Sequence, residues 1–153
     1  ADVLNIIPPM RAGAIAQKAK LVTVSDRWCG VDFLTYESTV AKNVHVIGDS
    51  IATAPGMPKS GHMANQQAKV CAAAVVALLS GDKVNDQPII ANTCYSFVNE
   101  AEVVHVASVH KYDAVKKTMT PVQGAGGLSP APNTVEAYMA MGWVYNIMND
   151  MFA

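Results

Sequence analysis

The spacing of hydrophobic and polar positions changes near residue 85. Before that point, the short apolar runs Val3–Ile7 and Val44–Ile47 predict brief strands, and Val44–Ile47 has apolar residues on both faces, as a buried strand does. Ser60–Leu79 has the length and alanine content of a long helix, and Gly81 follows it as a C-terminal stop. The first part of the chain therefore has an α/β character.

Three shorter elements are predicted between these. Arg11–Ala19 is rich in alanine and predicts a short helix. Ser25–Gly30 predicts a turn that carries Trp28 and Cys29, and Val31–Thr35 alternates as a strand does.

The second part of the chain predicts an antiparallel meander followed by a helix. Three β-like runs occupy Asn92–Val98, Glu102–His110 and Lys116–Val122, and residues 123–132 predict a loop. Asn133 is placed to cap a final helix over Val135–Met151. We expect two units, residues 1–85 and residues 86–153.

Composition excludes several classes of protein. The chain has 153 residues, 51% of them hydrophobic, and a net charge of −1, so it can bury a core and lacks the basic excess of a nucleic-acid binder. Its longest apolar run, Cys71–Leu79, is too short to span a membrane. Three cysteines and four histidines are scattered along the chain, which argues against a metal site and leaves at least one thiol without a partner in this chain. Because the sequence opens abruptly on an apolar run, we expect a fragment.

The sequence around Gly48-Asp49 carries the first candidate chemistry. Glycine at a strand end permits close approach of a ligand, and the aspartate could accept hydrogen bonds from a ribose or ribityl hydroxyl. The following helix opens with Lys59, Ser60 and Gly61, and its first turn would favour an electron-rich ligand edge. A plain turn and a tightly packed helix explain the same residues, so both readings stay open.

The three cysteines are expected to differ in access. Cys29 lies in the predicted turn, where a thiol can be reached, whereas Cys71 and Cys94 lie in runs that look buried. Reactivity requires exposure and a lowered pKa, so Cys29 is the candidate reactive thiol and the other two are expected to be inert.

Several stretches together resemble one family. They are "NIIPPMRAGAIAQKAKL", "WCGVDFLTYEST", "NVHVIGDSIATAPGMPKSGHMANQQAKVCAAAVVALLSG", "NTCYSFV" and "WVYNIMNDMF". In this order and spacing the chain resembles the flavoprotein subunit of flavocytochrome c sulfide dehydrogenase, and the resemblance covers nearly the whole chain.

The resemblance implies a fold and a cofactor. It implies part of a glutathione-reductase-type FAD-binding fold, in residues 1–85, followed by a small interface domain of β-meander and helix. Gly48 and Asp49 match the family's later FAD-binding element, while its GxGxxG element does not occur in this sequence, so the chain resembles the C-terminal third of the subunit. The FAD-contacting residues that the resemblance implies lie in this element, at the start of the long helix and in the last helix: Gly48, Asp49, Lys59, Ser60, Asn65, Gln66, Gln67 and Trp143.

The resemblance also implies a reaction. Cys29 matches one cysteine of a redox-active disulfide, whose partner lies upstream of these residues in the family. Sulfide attacks that disulfide, and electrons pass through the flavin to a c-type cytochrome subunit in the periplasm. The expected partners are therefore the cytochrome, sulfide and the N-terminal part of the same flavoprotein. Alternatives are a sulfide:quinone oxidoreductase and a non-catalytic interface domain without a cofactor.

Overall fold

A computed structural model describes residues 2–152 and shows a mixed α/β chain with two antiparallel sheets. One sheet is a two-stranded hairpin and the other is a three-stranded meander, and helices flank them. In chain order the elements are α1 (Ala14–Lys18), β1 (Val22–Val24), β2 (Trp28–Cys29), α2 (Gly61–Ser80), β3 (Ile89–Phe97), β4 (Val103–Asp113), β5 (Thr118–Leu128) and α3 (Thr134–Phe152). The predicted fold class is thus confirmed.

Helix α2 begins and ends where its sequence signals lie. The Ser60 hydroxyl accepts a hydrogen bond from the Met63 N–H, which satisfies one of the free donors of the first turn. Gly81 ends the helix with a φ of 75°, a left-handed conformation that glycine adopts without steric cost. The short helix predicted over Arg11–Ala19 forms as the five-residue α1.

The meander has the strand order β3-β4-β5. β3 and β4 pair without interruption from Ile89–Lys111 to Phe97–Val103. β4 and β5 pair with a register shift between Ser108 and His110, where the partner residues on β5 are Gly126 and Pro121. The prediction of a loop over residues 123–132 is therefore wrong for its first half, because β5 continues to Leu128 beyond this bulge.

Glycine makes the continuation of β5 possible. Gly126 has a φ of 143°, and a Cβ added to it would lie 2.5 Å from the Ala107 carbonyl oxygen. Gly127 has a similar φ of 148° but open space around its α-carbon. The two strands therefore approach closely at Gly126 because it has no side chain.

The last helix is capped as its sequence predicts. The Asn133 side chain accepts a hydrogen bond of 2.8 Å from the Glu136 N–H, and the helix starts at Thr134. Much of its apolar surface is open to solvent, including Tyr138, Tyr145 and Phe152. Within residues 2–152, no helix is long and apolar enough to cross a membrane.

Three strands predicted in the first part do not form. Val3–Ile7 is an exposed irregular segment ahead of two prolines, and Val31–Thr35 is mainly a turn with a single bridging residue. In Val44–Ile47, only His45 forms a bridge, to Glu37. These short runs lack a neighbouring strand to complete a ladder, so they remain irregular chain that packs against the rest.

The core crosses residue 85. One cluster joins Tyr36, Ile51 and Met63 from the first part with Ile90 and Met119 from the meander. Residues 1–85 and 86–153 remain a predicted division, but their apolar side chains pack together.

Candidate functional site

The Gly48-Asp49 element is a turn rather than the end of a strand. Gly48–Ser50 forms one turn of 3₁₀ helix, and Gly48 has a φ of 72°, which favours glycine. The Gly48 N–H donates to the Oε1 of Gln67 over 2.7 Å, and the Gln67 side chain is buried on α2. The structure thus brings Gly48 and Gln67 together, but the expected strand end is wrong.

The small residue Ala64 serves this turn. A Cβ on Gly48 would lie 3.4 Å from the Ala64 Cβ, so the turn rests directly on α2. The small side chain of Ala64 thus makes room for Gly48. Asp49 itself is exposed beside this contact, with its carboxylate available to solvent.

Lys59 is tied to the same turn. Its ammonium donates to the carbonyl oxygens of Asp49, at 2.7 Å, and Ile51, at 2.6 Å. The nitrogen also lies 3.8 Å from the centre of the Trp28 ring, at the distance of a cation–π contact. Burial lowers the pKa of Lys59, and the charges of Asp49 and Cys29 oppose that shift.

Cys29 is buried, which corrects the expectation of a reachable thiol. It lies on β2 directly after the turn, and its residue is 0% exposed beneath Ala12 and Ala16. Burial raises the pKa of the Cys29 thiol, and Lys59 opposes that rise. Cys71 and Cys94 are partly exposed, so the expected order of access is reversed.

The backbone N–H groups of Asn65–Gln67 are not available to a ligand. α2 starts at Gly61, so these residues lie in its second turn, where each N–H bonds to the carbonyl four residues earlier. Their side chains remain candidates, since Asn65 and Gln66 line a cavity while Gln67 holds Gly48. The free N–H groups of this helix belong to the turn that begins at Gly61.

Two cavities meet at Trp143. One, of about 250 Å³, lies between the start of α2 and β3, and its lining residues are Ser60, Gly61, His62, Thr93, Cys94, Tyr95 and Trp143. The other, of about 170 Å³, also includes His62 and Trp143, together with Asn65, Gln66 and Lys69. The structure thus gathers Ser60, Asn65, Gln66 and Trp143 in a second group, beside the first group of Gly48, Asp49, Lys59 and Gln67.

Trp143 has an indole N–H without a partner. Its Nε1 is buried and makes no hydrogen bond among the residues described. The ring lies 5.5 Å from that of His62, in an edge-to-face arrangement, and 6.1 Å from that of Tyr95. An unpaired buried donor at a cavity wall is costly, so an acceptor placed there would stabilise it.

His62 and Tyr95 were missed by sequence reasoning. The Thr93 N–H donates to the Nδ1 of His62 over 2.9 Å, which requires this nitrogen to be unprotonated. Burial lowers the pKa of His62, in agreement with a neutral ring. The position of His62 two residues after the cap Ser60 was the only signal available, and it does not reveal that Trp143, 81 positions later, lies against it.

A polar network holds α3 on the meander. The His105 Nδ1 lies 2.9 Å from the Glu136 carboxylate, and the Ser129 hydroxyl donates to the same carboxylate oxygen. The Asn133 amide contributes a third hydrogen bond, of 3.1 Å. The bonds from Ser129, His105 and Asn133, in that order, lower the pKa of Glu136. Trp143 is therefore carried on a helix whose start is fixed to β4.

A comparison with protein families finds a match for the C-terminal part of the chain. Residues 86–152 match the model of the family described as flavocytochrome c sulphide dehydrogenase, flavin-binding. This segment, which contains the meander and α3, is therefore similar to that flavin-binding family. The resemblance inferred from the sequence is confirmed over these residues.

The residues at the two cavities fit a flavin. Trp143 offers an unpaired indole donor, and a Cβ added to Gly61 would meet no atom within 4 Å, so the helix start is open. Aromatic rings of His62, Tyr95 and Trp143 supply flat walls, and the first turn of α2 supplies N–H donors and a positive dipole end. These features suit a planar, electron-rich ring edge.

Proposed function

We propose that this chain forms part of an FAD-dependent oxidoreductase that oxidises sulfide and delivers electrons to a c-type cytochrome subunit in the periplasm. The observation that carries the proposal is the match of residues 86–152 to the flavin-binding family of flavocytochrome c sulphide dehydrogenases. The cavities at Trp143 support it because their walls suit a flavin.

The two groups of residues are proposed to serve different parts of FAD. Ser60, Asn65, Gln66 and Trp143 would border the ring, and Asp49 on its exposed turn would accept hydrogen bonds from the ribityl–phosphate region. The chemistry that a flavin supplies is acceptance of two electrons and their release one at a time. Gln67 acts behind this surface, because it is buried and fixes the conformation of the Gly48 turn.

Cys29 is proposed as the sulfur that exchanges with sulfide, in the disulfide that the resemblance implies. Because the thiol is buried, this role requires that its cover opens. The segment that leads into α1 is held by hydrogen bonds to one residue, Arg27. The Ala12 N–H donates to the Arg27 carbonyl over 2.7 Å, and the Arg27 guanidinium donates to the Met10 carbonyl. Most residues before Ala12 are exposed, so few contacts oppose a local opening.

Flavin binding tests the proposal most directly. FAD should be titrated into this chain and into the longest natural polypeptide that contains it, with detection by flavin fluorescence and absorbance. Trp143→Phe should weaken binding several-fold, because the indole donor is lost. Tyr138→Phe is the matched control on the same helix, since Tyr138 is 83% exposed and should not matter. The proposal would be refuted if neither polypeptide bound flavin.

The electron acceptor is tested separately. Sulfide-dependent reduction of cytochrome c is expected, whereas reduction of a quinone would favour the alternative, a sulfide:quinone oxidoreductase. One observation supports that alternative: α3 exposes an apolar surface with Tyr138, Tyr145 and Phe152, as an interfacial helix would. The acidic side chains of α3, Glu136 and Asp150, suit an anionic membrane poorly.

A further inference from the structure

Lys59 contacts both chain segments that hold Cys29 in place. Its ammonium donates to the Ile51 carbonyl, and Ile51 is the bridge partner of Cys29, whose own carbonyl accepts from the Ala52 N–H over 2.8 Å. On its other side, the ammonium lies over the ring of Trp28, the residue before Cys29. The position of the charge is thus fixed relative to both chain segments that hold the cysteine.

These contacts change the role expected for Lys59. The resemblance implies that it touches FAD, but two of its three N–H donors are used by backbone carbonyls and its remaining face lies against an indole ring. A lysine in such a setting is a fixed local charge rather than a mobile phosphate ligand. The other neighbours of the Cys29 side chain are apolar: Ala12, Ala16, Leu21, Val22 and Val46.

We propose that Lys59 is a positioning residue for Cys29, which holds a positive charge beside a buried thiol and thereby favours its thiolate form. This inference rests on the proposed function for its catalytic meaning, since the thiolate is the form that attacks or leaves in disulfide exchange. Its physical content is independent of flavin. An apolar setting raises the pKa of Cys29, and the nearby ammonium counters that rise.

Other charges near this pair are few. Asp49 faces Lys59 from the 3₁₀ turn and raises its pKa, and Arg27 lies 5.4 Å from the centre of the Trp28 ring. The residues of α1 that contact Cys29 carry no charge. Lys59 is accordingly the charge that the experiment removes.

The test measures thiolate formation directly, so it needs neither flavin nor access for a reagent. In the full chain with Cys71→Ala and Cys94→Ala, thiolate absorbance at ultraviolet wavelengths is titrated against pH, and the signal of the Cys29→Ser protein is subtracted. Lys59→Gln, which keeps N–H donors but loses the charge, should raise the Cys29 pKa by about one unit. Lys59→Arg, which keeps the charge, should leave that pKa close to its starting value. Lys69→Gln removes a charge on α2 that pairs with Asp150 instead, and is the matched control.

Two results would overturn the proposal. An unchanged Cys29 pKa in Lys59→Gln would show that the charge does not act on the thiol, and equal shifts in Lys59→Gln and Lys59→Arg would indicate a structural effect. If Lys59→Gln fails to fold, the reciprocal measurement decides: the pKa of Lys59, followed by NMR of carbon-labelled lysine, should fall in Cys29→Ser. An unchanged Lys59 pKa would contradict the proposal. Failure of flavin binding, by contrast, would refute only the proposed function.

Discussion

Substitution of Gly126 by alanine tests the close approach of β4 and β5. A new Cβ would lie 2.5 Å from the Ala107 carbonyl oxygen and 3.0 Å from the Ser108 α-carbon. These are backbone atoms, which cannot rotate away as a side chain can, so the strands must separate. Gly127→Ala is the matched control, because Gly127 has nearly the same φ but no atom within 4 Å of the added carbon.

The two substitutions share one cost and differ in another. An L-residue at the positive φ of either glycine costs about 1–3 kcal/mol of backbone strain. The contact with Ala107 adds about 1–3 kcal/mol for Gly126→Ala alone, as overpacking does in a well-packed core. The lower unfolded-state entropy of alanine acts equally on both variants and cancels in the comparison. Gly126→Ala should therefore be the less stable by about 1–3 kcal/mol.

Chemical denaturation followed by circular dichroism measures this difference. The denaturation midpoint should fall further for Gly126→Ala than for Gly127→Ala, with the same slope, and the thermal midpoints should differ by about 2–12 °C for a chain of this size. Equal losses of stability would show that the strands do not approach at Gly126, and would refute both the bulge and the extension of β5 to Leu128.

Other predictions concern the site and its supports. Glu136→Gln should lower stability at pH 7, and this loss should shrink as the pH falls below the ordinary carboxyl pKa of 4.5. The reason is that the hydrogen bonds from Ser129 and His105 depress the folded-state pKa of Glu136 and stabilise only its ionised form. Denaturation midpoints at pH 7 and pH 3 measure the loss, and a pH-independent loss would contradict the network. Iodoacetamide should label Cys29 more slowly than Cys71 and Cys94 in the native chain, and all three at similar rates in urea. Peptide mass mapping measures these rates, and rapid labelling of Cys29 in the native chain would contradict its burial. Asp49→Ala should reduce FAD retention after dialysis, with Asp82→Ala as the exposed control, and undiminished retention would remove Asp49 from the site.

Local signals in the sequence predicted the long elements well. Helices α2 and α3 could be placed because Ser60, Gly81 and Asn133 cap them, and these caps depend on residues within one turn. The meander followed from the alternation of its strands. Val44–Ile47 failed as a strand because a short apolar run does not reveal whether a partner strand is present.

The candidate site was less predictable because it depends on contacts distant in sequence. Cys29 was expected in an accessible turn, but the turn ends at Arg27 and Cys29 lies on a strand under α1. The hydrogen bond between Gly48 and Gln67 joins residues 19 positions apart, and it could be inferred only as a general proximity of the turn and the helix. The contact of His62 with Trp143 has no signal in the spacing of either residue.

The core that joins Met63 to Ile90 and Met119 has a consequence for how the matched segment behaves when it is cut out. Residues 86–152 match one family model, but Ile90 and Met119 pack against apolar residues that precede this segment. Expressed alone, this segment would present those side chains to water and would lose cooperativity in unfolding. Amide hydrogens of β3 should then exchange far faster than in the whole chain. The segment that matches the family model and the residues that share one apolar core thus have different boundaries.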